Sequence, residues 1–484
     1  MDSHKPFGLH FGTAGLRGTV GDGDDQMNVA NVKRATAGLA AYLGPDSRVV
    51  VGCDARHGSA EFYDAALKVL SGAGVHAIGL TPKRPTPVTA FAVKFLQADA
   101  GIMITASHNP PEYNGYKVYL SDGIQIVPPA DADIAAAIET APVDPPLSTD
   151  LIERCDVTDE FIAAAVGMCQ TADANAKAGL KIVVTPMHGV GGATLVSALK
   201  RAGFGDVVCV DKQMEPDPDF PTVRFPNPEE PGALDLALEL AEEAGADLVI
   251  AADPDADRLA VAADGEQLTG DETGLLLGHY LAQKGLTGSL ANSIVSGRAL
   301  GKVAEKFGLD HYETLTGFKW IARASKLGFG YEEAIGFCCD PAHVSDKDGI
   351  SAAIVFASLA AELKARGVTV HDHLRSVRTE FGGYTTAPLT FRVTDTSLIA
   401  QAMDHIRATP PTSLAGSPVV RVVDLTDHEP PTDGVMFFTE ADDRVVIRPS
   451  GTEPKLKCYL EVAGDPTRID QLKNDVARAT GMEK

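Results

Sequence analysis

The sequence repeats a strand–loop–helix pattern, and this repetition limits the folds that the chain can adopt. In each instance a short apolar run leads into a turn of small or charged residues and then a segment of helical length. Such a unit is half of a parallel crossover, so the pattern predicts α/β domains in tandem. The predicted strands are 48–52, 180–184 and 292–295, and the helices after them span about 59–72, 193–202 and up to 307.

The predicted domain boundaries fall where proline and acidic residues cluster or where the pattern changes. A chain of 484 residues is natural for three or four domains of about 100–200 residues each. After Gly382 and Gly383, residues 388–393 and 444–448 alternate like antiparallel strands. We therefore predict an α/β protein with three mixed-sheet α/β domains and a smaller C-terminal α+β domain, at 1–146, 147–265, 266–382 and 383–484.

The charge and cysteine content exclude several classes of protein. A formal charge of -24, from 42 basic and 66 acidic side chains, argues against general nucleic-acid or membrane-surface binding. It leaves room for a locally basic pocket that holds a phosphorylated metabolite. The 7 cysteines show neither zinc nor disulfide spacing, and no signal core or long apolar span is visible. We expect a cytoplasmic protein, either a monomer or a homodimer.

The segment Thr-Ala-Ser-His-Asn-Pro at residues 105–110 is the first candidate for chemistry. It follows an apolar run at 100–104 that reads as a buried strand, and the prolines after Asn109 interrupt the backbone. Ser107 is therefore expected in a tight loop at the carboxyl end of a parallel strand, where α/β sheets place their ligands. With His108 beside it, Ser107 is a candidate nucleophile or phosphoryl carrier, the alternative being an ordinary turn serine.

The segment Asp-Pro-Asp-Ala-Asp-Arg at residues 253–258 predicts a metal site. It follows an apolar strand at 246–252, and its carboxylates at alternate positions can converge as the hard oxygen ligands that Mg²⁺ prefers. A solvated acidic turn is the alternative. A calcium EF-hand is excluded because Arg258 and Asp264 replace its glycine and glutamate. A haloacid dehalogenase-type phosphatase would need Thr or Val in place of Asp257.

Two further segments are suited to anions. Arg-Pro-Ser-Gly-Thr at residues 448–452 offers a guanidinium, two hydroxyls and backbone amides, although an ordinary polar turn is the alternative. Phe-Gly-Thr-Ala-Gly-Leu-Arg-Gly at residues 11–18 combines glycines with Arg17. Neither a Walker loop nor a complete dinucleotide motif is present, and the glycines at 189–192 are expected to form a packing loop.

Together and in this order, these four segments closely resemble the α-D-phosphohexomutase superfamily. This superfamily includes phosphoglucomutases, phosphomannomutases and phosphopentomutase-like enzymes, and the resemblance runs from Gly12 to Pro454. It implies three similar α/β domains and a C-terminal domain around a central cleft, which agrees with the three recurring units. It also implies an intramolecular phosphotransferase that acts on a small phosphosugar.

The resemblance assigns roles to individual residues. It implies that Ser107, in the loop with His108, carries a phosphoryl group, and that Lys117 helps proton transfer. Arg17 and Arg258 would lie beside that phosphate, which needs cations because a phosphoserine carries roughly -1.5 to -2 charges. The implied Mg²⁺ ligands are Ser107, Asp253, Asp255 and Asp257. The implied contacts to the phosphate at the far end of the sugar are Arg448, Ser450, Gly451 and Thr452.

The implied reaction has two steps. The phosphoserine gives its phosphoryl group to a sugar 1-phosphate, the bisphosphate turns end for end, and Ser107 takes the other phosphoryl group back. A sugar bisphosphate such as glucose 1,6-bisphosphate is therefore the expected activator.

The sugar-reading segment departs from the best-known hexomutase pattern. That pattern is Gly-Glu-x-Ser-Gly, whereas residues 330–336 keep Glu332 and Glu333 but place Ala334 where the serine belongs. With Thr-Leu-Thr-Gly-Phe-Lys at 314–319, the segment looks more like the phosphopentomutase-like branch. The candidate substrate contacts here are Thr316, Gly317 and Lys319, and His343 is a candidate acid or base. A surface lysine and an ordinary loop histidine are the alternatives.

Several functions remain open at this point. Exchange between a hexose 1-phosphate and a hexose 6-phosphate, with glucose or mannose as the sugar, is the leading hypothesis. Pentose 1-/5-phosphate exchange and synthesis of a sugar bisphosphate from an external donor are alternatives of the same class. A non-catalytic sugar-phosphate sensor and an aspartyl-phosphate phosphatase are alternatives from other classes, and both would be indifferent to loss of Ser107.

Overall fold

Four β-sheets, each with its own helices, follow one another along the chain. The structure is a computed structural model that describes residues 7–9, 15–171, 173–450 and 454–482. The first three sheets mix parallel and antiparallel pairs, and the fourth is antiparallel. The predicted α/β class with a C-terminal α+β domain is confirmed.

The first unit has a six-stranded sheet in the order β1-β5-β4-β2-β3-β6. Strands β2, β3, β4 and β6 run parallel, β5 pairs antiparallel with β4, and β1 pairs antiparallel with β5. Because β6 pairs with β3, this sheet continues past residue 146. Its elements are β1 (Leu16–Thr19), α1 (Val29–Leu43), β2 (Arg48–Cys53), α2 (Ser59–Gly72), β3 (His76–Leu80), α3 (Thr86–Phe95), β4 (Ala100–Ile104), β5 (Tyr113–Leu120), α4 (Ala130–Thr140) and β6 (Ile152–Cys155).

The second unit has a five-stranded sheet in the order β11-β10-β9-β7-β8. Strand β7 is parallel to both neighbours, and β9 turns back into β10 as an antiparallel pair. Its elements are α5 (Thr158–Gly167), α6 (Ala174–Ala178), β7 (Lys181–Thr185), α7 (Gly192–Arg201), β8 (Asp206–Cys209), α8 (Asp211–Met214), α9 (Asp235–Ala244), β9 (Leu248–Ala252), β10 (Leu259–Ala263) and β11 (Glu266–Gln267).

The third unit has a four-stranded sheet in the order β13-β12-β14-β15. Helix α10 opens with a capping box between Thr269 and Glu272, and Asp348 caps the first amides of α13. Its elements are α10 (Gly270–Gln283), β12 (Ser289–Ser293), α11 (Ala299–Phe307), β13 (Asp310–Thr314), α12 (Phe318–Ile321), β14 (Leu327–Glu332), β15 (Gly336–Cys338), α13 (Gly349–Ala365) and α14 (Val370–Glu380).

The fourth unit is an antiparallel sheet of six strands, β16-β21-β20-β19-β18-β17, with a separate apolar core beneath two helices. It follows Gly382 and Gly383, which adopt positive φ angles of 103° and 66°. Its elements are β16 (Thr385–Arg392), α15 (Ser397–Ala408), β17 (Ser413–Leu414), β18 (Ser417–Asp424), β19 (Val435–Thr439), β20 (Arg444–Pro449), β21 (Lys455–Val462) and α16 (Ile469–Thr480), with 3-10 turns at Leu425–Asp427 and Pro466–Arg468.

The first three units share one continuous apolar cluster. On the first unit, Phe91 of α3 meets Phe161 of α5 edge to face, with ring centroids 5.8 Å apart. Helix α13 of the third unit is buried on nearly every side and packs against α5, α6 and α7 of the second. None of the helices in the described ranges is both long and apolar enough to cross a bilayer. The units are therefore packed together, which holds the loops at their sheet edges in fixed relation.

Candidate active site

A cleft of about 1050 Å³ runs between the four units and collects most of the predicted site residues. Its wall is rich in cations, although the chain as a whole is strongly acidic. This is the locally basic pocket for a phosphorylated metabolite that the sequence left room for. The basic side chains in its wall are Arg17, Lys117, Arg258, Lys319, Lys347, Arg392, Arg444, Arg448, Lys455 and Lys457.

Ser107 lies in the loop between β4 and β5, at the carboxyl end of β4. Its side chain is buried, and its Oγ donates a hydrogen bond of 2.8 Å to Asp253 Oδ2. The ring Nδ1 of His108 lies 3.2 Å from the same Oγ. The backbone at Ser107 is left-handed, with φ of 53°, and its N–H donates to Thr105 Oγ1. The predicted loop therefore brings the serine hydroxyl from the first unit to a carboxylate of the second.

The three aspartates after β9 converge, as the sequence predicts. Asp253, Asp255 and Asp257 are fully buried, and each offers a carboxylate oxygen within 4.8 Å of the others. Side chains of the first unit neutralise them in part, since Lys117 Nζ lies 2.8 Å from both Asp255 Oδ2 and Asp257 Oδ2. Thr86 Oγ1 donates to Asp255 Oδ2 over 2.6 Å.

The electrostatics of this cluster favour a cation. Burial raises the pKa of Asp253 well above its usual range, and the neighbouring carboxylates of Asp255 and Asp257 raise it further. Burial would also raise the pKa of Asp255, but the Lys117 ammonium lowers it below its usual range. Burial disfavours the charge of Lys117, yet the two carboxylates raise its pKa. The electrostatic repulsion among the three carboxylates is therefore larger than one ammonium group can compensate.

The residues present fit a divalent cation. Asp255 Oδ1 and Asp257 Oδ1 are buried, and neither accepts a hydrogen bond from the described residues. Buried carboxylate oxygens without donors are costly, and a hard cation with oxygen preference satisfies them directly. Asp253, Asp255 and Asp257 are the side chains that could hold such an ion.

Two close backbone approaches shape the loop of residues 253–258 that carries the three aspartates, named the metal loop below. A Cβ at Gly189 would lie 2.3 Å from Pro254 Cα, and one at Gly349 would lie 2.3 Å from the Arg258 carbonyl oxygen. The amide of Val190 donates to the Pro254 carbonyl over 2.8 Å. The glycine-rich loop before α7 is thus a packing loop, as predicted, and what it packs against is the metal loop.

The predicted phosphate-binding arginines, Arg17 and Arg258, line the same cleft as Ser107. Arg17 Nη1 donates to Asn109 Oδ1 over 3.0 Å, and Arg258 Nη1 donates to the Ala334 carbonyl over 3.1 Å. Burial lowers the pKa of His108 well below its usual value, and the positive charges of Arg258 and Arg17 lower it further. The imidazole beside the serine hydroxyl is therefore neutral at physiological pH.

The loop after β20 faces the cleft from the fourth unit. Arg448 and Ser450 both line the cleft, and the Ser450 amide donates to the Lys455 carbonyl over 2.9 Å. The other two predicted residues of this loop, Gly451 and Thr452, lie outside the described residues. The C-terminal unit thus places a guanidinium and a hydroxyl in the same cleft as the serine loop, which is the segment of residues 105–112 between β4 and β5.

The predicted sugar-reading residues also reach this cleft. Thr316, Gly317, Lys319, Glu332 and Glu333 all line it. Glu333 Oε2 accepts hydrogen bonds from two serine hydroxyls of the third unit, at distances of 2.9 and 3.1 Å. Gly317, with φ of 105°, precedes the short helix that carries Lys319. The side chain of Glu333 is therefore oriented by the protein rather than free to move.

The structure does not bring His343 to the cleft, which corrects the expectation that it serves as an acid or base. Its ring stacks on Phe91, with centroids 6.4 Å apart, and its Nδ1 pairs with Asp340 Oδ2 over 2.7 Å. His343 is not among the described residues that line the cleft. The loop after Cys339 carries it onto α3 of the first unit, on the outside of the fold.

Among the cleft residues that the sequence reasoning missed, Lys347 and Glu229 contact predicted site residues. Lys347 Nζ lies 3.5 Å from Asp257 Oδ2 and 3.6 Å from Glu332 Oε1, so it connects the metal loop to the sugar-reading segment. Glu229 Oε2 lies 3.6 Å from Arg258 Nη1, and burial raises its pKa to about 7. Neither Lys347 nor Glu229 directly follows a predicted strand or belongs to one of the four motifs. The neighbouring sequence therefore does not indicate that these residues lie in the cleft.

Family models match the chain in order from end to end. They are the phosphoglucomutase/phosphomannomutase alpha/beta/alpha domains I, II and III over residues 8–143, 159–266 and 269–381, and the C-terminal domain over residues 391–479. The chain belongs to the α-D-phosphohexomutase superfamily. As a phosphohexomutase it is an isomerase that transfers phosphate within a sugar, which confirms the predicted enzyme class.

Individual relatives carry names from different sugars. A Haemophilus influenzae protein named "Probable phosphomannomutase" is 44% identical over 92% of this chain and 95% of its own length. The human protein named phosphopentomutase is 34% identical over 98% of this chain and 88% of its own. A phosphoglucomutase/phosphomannomutase family protein from Burkholderia thailandensis shares the fold, with a TM-score of 0.77 at 22% identity, covering 98% of this chain and 97% of that one.

Proposed function

We propose that this phosphohexomutase interconverts a hexose 1-phosphate and a hexose 6-phosphate through a phosphoserine at Ser107. The observation that supports this most directly is the contact between Ser107 Oγ and Asp253 Oδ2, 2.8 Å long, at the edge of the three-aspartate cluster. It places a hydroxyl where a phosphoryl group would meet both a cation site and arginines. The name of the Haemophilus relative favours mannose as the sugar, and a Staphylococcus haemolyticus relative named phosphoglucomutase favours glucose.

The first half-reaction balances as a transfer between two oxygens. The bond between phosphorus and Ser107 Oγ breaks while a bond forms to the free hydroxyl oxygen of the sugar 1-phosphate. The sugar hydroxyl gives up its proton, and Ser107 Oγ gains one. His108, 3.2 Å from that Oγ, and the Lys117 ammonium are the proton-holding groups of this chain at the serine and the aspartates.

The second half-reaction is the same transfer in reverse on the turned bisphosphate. Ser107 Oγ takes the phosphoryl group from the oxygen of carbon 1, and that oxygen is reprotonated, so the enzyme returns to its starting state. Arg448 and Ser450 hold whichever phosphate is not reacting. Glu332 and Glu333 accept hydrogen bonds from the sugar hydroxyls in either orientation.

Mg²⁺ is the ion that we assign to Asp253, Asp255 and Asp257, and when bound it neutralises charge on the phosphoryl oxygens. The protein's own part is to hold these carboxylates buried and to exclude water around them. A sugar bisphosphate such as glucose 1,6-bisphosphate is the activator, because it rephosphorylates Ser107 whenever the intermediate escapes.

Replacement of the serine tests the proposal. Ser107→Ala is expected to lower kcat by about 10⁴-fold or more, because no side chain remains to accept the phosphoryl group. Intact mass should show one phosphoryl group on the wild-type chain, after incubation with glucose 1,6-bisphosphate, and none on the variant. Ser121→Ala, a change at an exposed serine after β5, is the matched control. Undiminished turnover of Ser107→Ala would overturn the mechanism.

Pentose 1-/5-phosphate exchange is the second candidate, and Ala334 favours it. Ala334 lines the cleft without a side-chain hydroxyl, and its carbonyl is already bonded to Arg258. A site that lacks a polar contact to a sugar hydroxyl loses much of its preference for that hydroxyl. The human relative named phosphopentomutase points the same way.

The two candidates are separated by kcat/KM values for glucose, mannose, ribose and deoxyribose 1-phosphates, measured with Mg²⁺ and catalytic bisphosphate. We expect the hexoses to lead. A pentose value tenfold above both hexoses would replace the first candidate with the second, and phosphoserine chemistry at Ser107 would be untouched.

A further inference from the structure

Arg56 binds the backbone of the serine loop from behind. It follows β2, the residue is only 4% exposed, and it is not among the described residues that line the cleft. Its guanidinium donates to four carbonyl oxygens, three in this loop and one at the first residue of β5. They belong to Ser107 and Asn109, each at 2.5 Å, to Pro110 at 2.9 Å and to Tyr113 at 3.2 Å.

These bonds act on a backbone that needs support. Ser107 has a φ of 53°, a left-handed conformation that a residue with a Cβ adopts at a cost of about 1–3 kcal/mol. In this conformation Ser107 Oγ points toward Asp253 Oδ2 and donates a hydrogen bond to it. Because Arg56 binds the carbonyl of Ser107 itself, it holds the peptide plane that sets the direction of the side chain.

Arg56 is itself held on two sides. Its Nε lies 3.4 Å from Asp54 Oδ2, and its own amide donates to Asp54 Oδ1 over 3.0 Å. The ring of Phe220, from the second unit, lies against the guanidinium with 5.0 Å between the ring centroid and Cζ. Beside it His57 and Asp219 form a second contact between the same two units, 2.7 Å long.

We propose that Arg56 is the positioning residue for phosphoryl transfer: it fixes the serine loop so that Ser107 Oγ meets the metal site, and Phe220 ties that loop to the unit that carries the aspartates. This inference rests on the proposed phosphoserine function. Arg56 touches neither the sugar nor the reacting atoms. Loss of Arg56 is therefore expected to lower the rate of phosphoryl transfer rather than the affinity for the substrate.

Lysine at this position separates geometry from charge. Arg56→Lys keeps the positive charge beside Asp54, but a single ammonium cannot reach four carbonyl oxygens arranged around a planar fork. A displacement of about 1 Å in a reacting group costs about 100-fold in rate, so kcat should fall by about that factor. KM for the sugar phosphate should change by less than about threefold, because the cleft wall is intact.

The matched control is Arg34→Lys. Arg34 is equally buried, at 6% exposure, in the same unit, and it donates to the backbone carbonyls of Ile138 and Glu139 at 3.2 and 2.9 Å. The carbonyl oxygens that Arg34 binds belong to α4 and not to the serine loop. We expect Arg34→Lys to lower the unfolding temperature while kcat stays at the wild-type value.

The decisive measurement is the rate at which Ser107 becomes phosphorylated in a single turnover with glucose 1,6-bisphosphate, followed by intact mass. Arg56→Lys should slow this step by about 100-fold, in line with kcat. Phe220→Leu keeps Arg56 and removes only the ring face, so it should fold and slow the same step by a smaller factor. An unchanged rate in both variants would overturn the inference.

The outcome also distinguishes this inference from the proposed function. If Ser107→Ala keeps full turnover, the phosphoserine mechanism is wrong and Arg56 has no reaction to position. If Ser107→Ala is inactive while Arg56→Lys is as fast as the wild type, only the role of Arg56 is wrong. If Arg56→Lys raises KM and leaves the phosphorylation rate unchanged, Arg56 acts on substrate binding, and the positioning role is again refuted.

Discussion

At the scale of single residues, the site is governed by charges that are buried in excess. Three carboxylates lie together in the interior, and the Lys117 ammonium bridges two of them at 2.8 Å. Each buried ion is costly unless a partner compensates it, and removing one partner exposes the cost of the other. Lys117 therefore stabilises the metal-free protein as well as belonging to the candidate catalytic set.

Replacement of Lys117 should make the protein depend on its metal. In Lys117→Met the aspartates keep their mutual repulsion without the bridging ammonium, which should cost about 3–5 kcal/mol of stability in EDTA. Saturating Mg²⁺ should restore more of the unfolding temperature in this variant than it adds to the wild type. Thermal unfolding with EDTA and with Mg²⁺ measures both effects.

Lys94→Met is the control for this experiment. Lys117 joins the first and second units, and Lys94 joins the first and third, but the Nζ of Lys94 donates to neutral oxygens, the Pro341 carbonyl at 2.8 Å and Ser345 Oγ at 3.0 Å. Its loss should leave the Mg²⁺ response at the wild-type value. An equal Mg²⁺ response in both variants would show that Lys117 does not compensate the aspartates.

At the scale of elements, the metal loop is shaped by the backbones that pack against it. The loop that joins β9 to β10 is covered on one side by the turn before α7 and on another by the start of α13. Glycine occurs at both contacts, at Gly189 and Gly349, because a Cβ would lie within 2.3 Å of the metal loop's backbone. The direction of the aspartates thus depends on segments far away in sequence.

Addition of one methyl group at Gly189 should move the metal loop. In Gly189→Ala the new Cβ would meet Pro254 Cα at 2.3 Å, and backbone cannot yield as a flexible side chain does. We expect the Kd for Mg²⁺ to rise by about 10- to 100-fold, as for other changes that disturb the support of metal ligands. Titration calorimetry with Mg²⁺ measures this directly.

Gly205→Ala is the matched substitution in the same unit, because a Cβ there has no neighbour within 4 Å among the described residues. Its Mg²⁺ affinity should equal that of the wild type. A normal affinity in Gly189→Ala would mean that the metal loop does not depend on this contact.

At the scale of the whole molecule, the fourth unit is docked on the third and contributes one wall of the cleft. Glu461 of β21 is buried at 1% exposure and pairs with Arg298 Nε at 2.7 Å and Arg444 Nε at 3.2 Å. Arg298 also donates to Asp442 Oδ1 over 2.8 Å. These contacts position the Arg448 loop opposite the serine loop.

Loss of Arg298 should loosen the fourth unit. Arg298→Ala removes several charge-assisted hydrogen bonds, each worth about 1.5–3 kcal/mol, while Arg444 still accompanies Glu461. Cleavage by a protease near Gly382 and Gly383 should become at least about tenfold faster, because it follows the open population. The KM for the sugar phosphate should rise in parallel.

Arg421→Ala provides the comparison, since Arg421 lies over the Phe438 ring at 3.9 Å within the fourth unit alone. Its cleavage rate should match that of the wild type. If Arg298→Ala is cleaved no faster than Arg421→Ala, the docking does not depend on this pair.

Local patterns predicted the elements well where apolar runs were clear. The predicted helix at 59–72 is α2 (Ser59–Gly72), and the predicted strand at 100–104 is β4 (Ala100–Ile104). The third repeat is displaced, because β12 spans Ser289–Ser293 rather than 292–295. Its polar serines hide the strand, while Ile294 and Val295 pack in a cluster with the fourth unit. A run of apolar residues in the sequence does not show whether they are buried in a strand or at a contact between two units.

The sequence by itself determined the repeating α/β units, the serine loop and the metal loop, because each of these is formed by consecutive residues. Only the tertiary structure showed that Lys117 bridges the aspartates, that Lys347 and Glu229 enter the cleft, and that His343 does not. Arg56 belongs to the same group, since the carbonyl oxygens that it binds lie 51 to 57 residues further along the chain. The physical reason is that such roles depend on which sheet edges meet, and that is decided by packing between units.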